Sequence, residues 1–155
     1  MIEWHWLAFD DIPRADWYEV LRQRQAVFIL EQTCLYPDID GADPQCHHLM
    51  GWREIDGERT LVTYLRVVPP GLKFDEMSLG RVLTTQAGRG TGVGRELLAK
   101  AIPLAEKLHP GWDIRIGAQA HLEKFYGSFG FQTVTDPYDE DGIMHVDMVR
   151  TKTSG

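Results

Sequence analysis

The segment Arg89-Gly90-Thr91-Gly92-Val93-Gly94-Arg95 has the makings of an anion cradle. It stands between a strand-like run and a long amphipathic stretch that begins at Val93. Its backbone N–H groups therefore fall at a helix start, where donors lack intrahelical partners and the helix dipole is positive. Without Cβ atoms at Gly90, Gly92 and Gly94, phosphate oxygens can come close to the main chain. The register excludes two familiar phosphate motifs. A P-loop needs a Lys after its last glycine, and none follows here. A Gly-x-Gly-x-x-Gly fingerprint fails from Gly88, which puts Val93 in the last place, and from Gly90, which puts Arg95 there. The pattern that remains is Arg-x-x-Gly-x-Gly on Arg89, Gly92 and Gly94. Within residues 81–100, Arg81, Arg89, Arg95 and Lys100 face a single acid, Glu96, which makes a local basic patch.

A second group of residues could handle protons. Tyr126 follows Phe125 in a short block that ends in Gly130-Phe131. Glu31 sits where a helical stretch gives way to a long polar segment, and His48 and His121 are further proton acceptors of ordinary reach. Asp38, Asp40 and Asp43 form one acidic cluster, and Asp136, Asp139, Glu140 and Asp141 another. If both lie in loops, their field would draw in a cation. Cys46-His47-His48 does not read as a metal site, because neighbours on a strand point to opposite faces. No His or Asp is tied by spacing to Cys34 or Cys46 as a nucleophile would require.

These residues must be positioned by regular elements. Ile2–Trp6 alternates like a strand, and Pro13–Leu30 carries Trp17, Val20, Leu21, Val27 and Phe28 at helical spacing. Residues 31–47 read as a long loop, of a length that is often functional. His48–Glu54 and Arg59–Val68 flank Asp56-Gly57 as a hairpin. Glu76–Thr85 reads as a strand with Met77, Leu79, Arg81 and Leu83 on one face. Val93–Leu108 reads as a helix that Pro103 should kink or cut short. A strand at Trp112–Gly117, a short helix at Ala120–Phe129, and strands at Phe131–Thr135 and Met144–Val149 complete a β-α-β-β-β-α-β-α-β-β order. This is an α/β layer fold around a mixed sheet.

The chain has 155 residues, 16 Lys+Arg against 23 Asp+Glu for a net charge of −7, 43% hydrophobic and 25% charged residues. Those values fit one globular domain, over residues 1–150 with a frayed tail at 151–155. The acidic balance speaks against nucleic acid as a partner, and no apolar run is long enough for a membrane span. The N-terminus lacks the features of a signal peptide, and two cysteines make no disulfide framework. A cytoplasmic location is expected.

Two blocks carry a resemblance. Arg89-x-x-Gly92-x-Gly94 is similar to the pyrophosphate loop of the GCN5-related N-acetyltransferases (GNAT), and Gln119–Phe131, with Phe125-Tyr126 and Gly130-Phe131, is similar to the family's other recurrent block. Gln119 stands where that family often has Asn. The order and spacing of the two blocks match, and Leu21–Gln32, Cys34–Asp43, Gly117–Leu122 and Tyr138–His145 resemble the family's ElaA-like bacterial branch. The resemblance implies a GNAT fold and transfer of an acetyl group from acetyl-CoA to a primary amine of a small molecule or a peptide; the acidic loops would favour a cationic one, and no metal is expected. It implies that Val82, Leu83 and Thr84 contact the acyl-pantetheine and that Arg89, Gly90, Thr91, Gly92, Val93, Gly94 and Arg95 bind the pyrophosphate. Gln119, Phe125 and Tyr126 complete the coenzyme contacts. Tyr126 would protonate the leaving thiolate. The base is not marked by the resemblance: Glu31, by its place at the end of the first helix, is the first candidate, followed by His48 and His121, and Glu31, Asp40 and His48 would face the acceptor. A homodimer is compatible with these expectations. Two other classes use the same turn: a non-catalytic acyl-CoA sensor, and a nucleotide-binding module, which the missing P-loop Lys disfavours.

Overall fold

The computed structural model describes residues 1–152; of the expected tail, 153–155 lie outside the described residues. Eight strands and three principal helices follow the chain as β1 (Glu3–Ala8), α1 (Arg14–Arg24), β2 (His47–Ile55), β3 (Glu58–Val68), β4 (Ser78–Thr84), α2 (Val93–Leu108), β5 (Ile114–Gln119), α3 (Glu123–Gly127), β6 (Gln132–Thr133), β7 (Tyr138–Glu140) and β8 (Ile143–Arg150). β1-β2-β3-β4 form one antiparallel sheet. In the other, β8 is central, with β5 along one edge and β6 and β7 in succession along the other. The sheets meet through one parallel bridge, Met77 to Ile114.

Alternation along the first sheet feeds two cores. Leu49, Leu65 and Val67 join Leu97, Leu98, Ala101 and Ala105 of α2 on one face. Met50, Trp52, Leu61 and Tyr64 pack with Val20, Val27 and Phe28 on the other. The first sheet is thus a layer between two helices.

Four expectations need correction. The helix expected over Pro13–Leu30 is α-helical only to Arg24, and Gln25–Glu31 continues it as a π-helix, with Gln32 N–H donating five residues back to the Val27 carbonyl at 3.2 Å. The wider turns bury Val27 and Phe28 and carry Glu31 out to the end of the segment. α2 neither stops nor is interrupted at Pro103; it runs on to Leu108, because its stripe of six buried residues on both sides of the proline holds it to the sheet. β4 does not alternate simply: Tyr64 opposes Leu83 and Arg66 opposes Gly80, so Arg81 and Val82 share one partner, Leu65. That bulge puts Arg81 at φ +50°. Finally, the acidic segment 136–142 was expected to be all loop, yet Tyr138–Glu140 pairs with Ile143–His145 as a hairpin.

Candidate functional site

β4 and β5 start side by side and then part. The Arg115 N–H donates to the Met77 carbonyl at 2.9 Å, beside the Met77–Ile114 bridge, and no ladder joins the strands beyond it. The gap that opens toward Thr84 and Gln119 is a cavity of about 800 Å³, walled by Leu79–Thr84 on one side and Ile116–Gln119 on the other. Val82, Leu83 and Thr84 line it, with the bulge at Arg81-Val82 in the wall.

At the open end of β4 lies the glycine-rich turn. Gly90 and Gly92 have φ of +75° and +78°, and a Cβ on either would meet open space. Both are on the surface, and Gly92 caps α2. Gly94 is inside the first turn, where a Cβ would lie 3.4 Å from Thr84 Oγ1, so its lack of a side chain sets the approach of α2 to β4. Gly88 is more constrained than any of them: a Cβ there would stand 2.4 Å from the Val62 carbonyl oxygen. Thr91 Oγ1 donates to the Gly88 carbonyl at 2.5 Å and pins the loop, while Val93 is buried in the core.

The basic patch expected over residues 81–100 is dispersed. Arg81 and Arg89 both line the cavity, and Arg89 Nη2 donates to both oxygens of Glu31 at 2.7 and 2.8 Å. Arg95 lies over Phe129 and donates to Ser128 Oγ at 2.9 Å. Lys100 lies over the Trp4 ring, and Arg81 is taken up by aspartates.

Those aspartates are the expected acidic cluster, and they do not present free negative charge. Arg24, wholly buried, donates to Asp38 Oδ2 at 3.0 Å and Asp43 Oδ1 at 2.8 Å. Arg66 donates to Asp43 Oδ1 at 2.8 Å and to both Asp40 oxygens at 3.0 and 2.6 Å, and Arg81 to Asp38 Oδ1 at 2.8 Å. Three guanidinium groups thus answer three carboxylates. The hydrogen bonds from Arg66 hold the Asp40 carboxyl well below the usual range, against the opposing effect of burial. The network fixes the 31–47 loop against β3 and β4. No local pattern signals it, since its partners are 14 to 43 residues apart.

The proton-handling candidates separate clearly. Tyr126 is buried against Phe125 and Phe131 and lines the cavity. Its hydroxyl has no hydrogen-bond partner among the described residues, and burial pushes the phenol up to about 12. Phe125 backs it without lining the cavity. Glu31 lines the cavity with both oxygens bound by Arg89. His121 is exposed outside the cavity. His48 is not an acceptor-facing residue: it is fully buried, with Nδ1 2.6 Å from Tyr64 Oη and Nε2 3.0 Å from the Asp43 carbonyl, and burial lowers its pKa to about 4. His47, its neighbour, packs in a tilted arrangement against Trp6 instead. Among the described residues, the imidazole that does line the cavity is His145, on β8 opposite Gln119. In the sequence it closes the Tyr138–His145 segment, just after the acidic loop, with nothing there to single out its ring.

Three contacts bridge the cavity's mouth from the end of the π-helix: Glu31 to Arg89, Gln32 Oε1 accepting from Gln119 Nε2 at 3.3 Å, and Cys34 Sγ donating to the Asp141 carbonyl at 3.3 Å.

Residues 50–152 match the acetyltransferase (GNAT) domain. The chain belongs to the GNAT acetyltransferase family. Relatives extend beyond the matched segment. Protein ElaA of Escherichia coli is 40% identical, covering 97% of each chain, and a UPF0039 protein of Synechocystis sp. is 45% identical over 96% of this chain and 94% of that one. The crystal structure of E. coli ElaA superimposes with a TM-score of 0.87 at 39% identity over 97% of this chain and 99% of that one. An acyl-CoA N-acyltransferase from Pseudomonas aeruginosa gives 0.89 at 38% over 97% and 100%. The GNAT match takes in β4, α2, β5 and Tyr126, whereas Glu31, Gln32, Cys34 and Asp40 precede it. The matched segment therefore supplies both strand walls of the cavity, and the π-helix and its loop border it from before the match.

Proposed function

We propose that this GNAT chain transfers an acetyl group from acetyl-CoA to a primary amine. The observation that carries the reading is the parting of β4 from β5: an extended pantetheine arm suits a slot between two strands whose facing backbone edges are unpaired. The helix start at Gly92–Arg95 offers N–H donors to a pyrophosphate, and Arg89 a charge-assisted bond. At the bulge, backbone displaced from the ladder near Val82 is suited to hold an oxyanion. Tyr126 is fully protonated at neutral pH and is suited to donate to the departing sulfur. The acceptor would enter past Gln32, Cys34 and Glu140. Because Asp38, Asp40 and Asp43 are neutralised by arginines, their field gives no support to a cationic acceptor, and any such preference would rest on Glu140 and its neighbours.

Calorimetry with acetyl-CoA, followed by a thiol-release assay against a panel of amines, tests the reading. Saturable binding displaced by CoA, with amine-dependent thiol release, is expected. Binding without release from any amine would favour a non-catalytic sensor, and preference for ATP over acetyl-CoA would overturn the assignment.

A further inference from the structure

We infer that His145 is the general base that deprotonates the acceptor amine, an inference that rests on the acyltransferase reading above. An amine attacks a thioester only as R–NH2, yet an aliphatic amine has a pKa near 10.4 and arrives as R–NH3+. Something in the cavity must take that proton. Without coenzyme Glu31 is engaged on both oxygens by Arg89, and with coenzyme it is the group from which the pyrophosphate draws that arginine; His48 is sealed in the core. His145 is differently placed. It lines the cavity, and its side chain is 12% exposed, so it is held yet reachable.

Its hydrogen bonding fixes which nitrogen is available. Nδ1 is 2.7 Å from the Ile143 carbonyl oxygen, which can only accept. Nδ1 must therefore carry the hydrogen, and in the neutral ring Nε2 is left with its lone pair. Nε2 has no hydrogen-bond partner among the described residues; the nearest charge is Glu140 Oε2 at 3.6 Å, too far for a hydrogen bond but well placed to stabilise an imidazolium. The ring stacks on Tyr138, which fixes its plane, and Tyr138 is itself anchored on Asp147. The groups facing it are thus Glu140 and Tyr138 from β7 and Gln119 from β5, with Lys73 in the same cavity lining and within the field of Glu140. A base oriented through its second nitrogen, beside a carboxylate, is a recurring arrangement for proton abstraction.

The step balances without any further reagent. Nε2 takes one proton from R–NH3+. The nitrogen lone pair of R–NH2 forms the C–N bond, the C–S bond breaks, and its electron pair stays on sulfur, which takes a proton from Tyr126. The second proton leaving nitrogen restores the phenol through water. Ammonium and acetyl-CoA become amide, CoA thiol and one proton, carried away by His145.

His145→Gln removes the base while keeping an amide able to donate to the Ile143 carbonyl. With spermidine, tyramine and a lysine-bearing hexapeptide as probes, the variant should lose about 10²–10³-fold in kcat/KM near neutrality. It should regain much of this at high pH, where the amine deprotonates unaided, and its acid limb should flatten. Acetyl-CoA affinity and the thermal melt should stay near wild type. A long-range ¹H–¹⁵N spectrum of the wild-type protein gives a readout apart from turnover: it should show the Nδ1–H tautomer. A variant that turns over like wild type with the same acid limb, or a spectrum with the Nε2–H tautomer, overturns the assignment of His145 alone. Wild-type protein that releases no thiol with any probe overturns the acyltransferase reading and this inference with it.

Discussion

At the scale of single residues, Tyr126 and Arg89 divide the expected chemistry. A phenol near 12 stands about 3.5 units above a free thiol at about 8.5, an uphill transfer of about 5 kcal/mol if sulfur kept its value in water. It does not: the same apolar walls that desolvate the phenol, including Leu83, Ile116 and Ala118, would desolvate a thiolate beside it and narrow the gap. Tyr126→Phe removes only the hydroxyl, so acetyl-CoA affinity should hold while kcat falls by about 10²–10⁴. An acyl donor with a more acidic thiol should lose less, and steady-state kinetics with both donors check this; equal losses would reduce the hydroxyl to a positioning contact. Arg89→Ala should cost about 1.5–3 kcal/mol of coenzyme affinity, the worth of a hydrogen bond to a charged group. Calorimetry should find a smaller loss for an acetyl-pantetheine fragment without the pyrophosphate. Glu31→Gln frees Arg89 from a half-exposed pair worth no more than about 1 kcal/mol. It should tighten acetyl-CoA binding by a factor of about 2–5, a gain that disappears in high salt.

At the scale of elements, the glycine-rich turn shows two uses of a missing side chain. Gly88→Ala would drive a Cβ into the Val62 carbonyl, so chemical denaturation should show a loss of roughly 1–3 kcal/mol although nothing at Gly88 need touch a ligand. Gly94→Glu, in regular helix, should leave the domain folded and abolish coenzyme binding, because it sets a negative charge at the helix start. Much of this half of the site was legible in the sequence. Local spacing encodes a turn and an amphipathic helix, and Phe125-Tyr126 with Gly130-Phe131 is a contiguous block. The other half was not. The π-helix after Arg24 keeps the same apolar residues as an α-helix would, and periodicity does not distinguish them. The bulge at Arg81-Val82 leaves no mark in a strand that alternates on paper. His145 enters the cavity only because β7 turns back on β8, in a segment whose four acids read as loop.

At the scale of the whole molecule, the buried ion network and His48 set how the fold answers to acid. His48 Nε2 and Nδ1 are occupied by the Asp43 carbonyl and Tyr64, and its nearest charges are Asp43, Arg24 and Arg66. Burial holds its pKa at about 4, against about 6.5 in an unfolded chain. Between those values the unfolded state binds more protons than the folded one, so stability rises with pH across the window and is lost as pH falls through it. The shift corresponds to at most about 3 kcal/mol. The aspartates act lower. Burial alone would raise the Asp43 carboxyl, but hydrogen bonds and charge from Arg24 and then Arg66 leave it below the usual range, and Asp40 is lowered by Arg66. Their stabilisation is complete above the unfolded carboxylate pKa near 3.9 and disappears as pH drops below it. Denaturant titrations should therefore show two acid phases, one from about pH 6.5 to 4 and a steeper one below 4. His48→Gln, less stable overall, should lose the first phase and keep the second. Asp43→Asn leaves Arg24 and Arg66 short of a buried partner, and should cost about 3–5 kcal/mol at neutral pH while shrinking the second phase. A single acid transition shared unchanged by both variants would show that neither His48 nor the arginine–aspartate network governs acid unfolding.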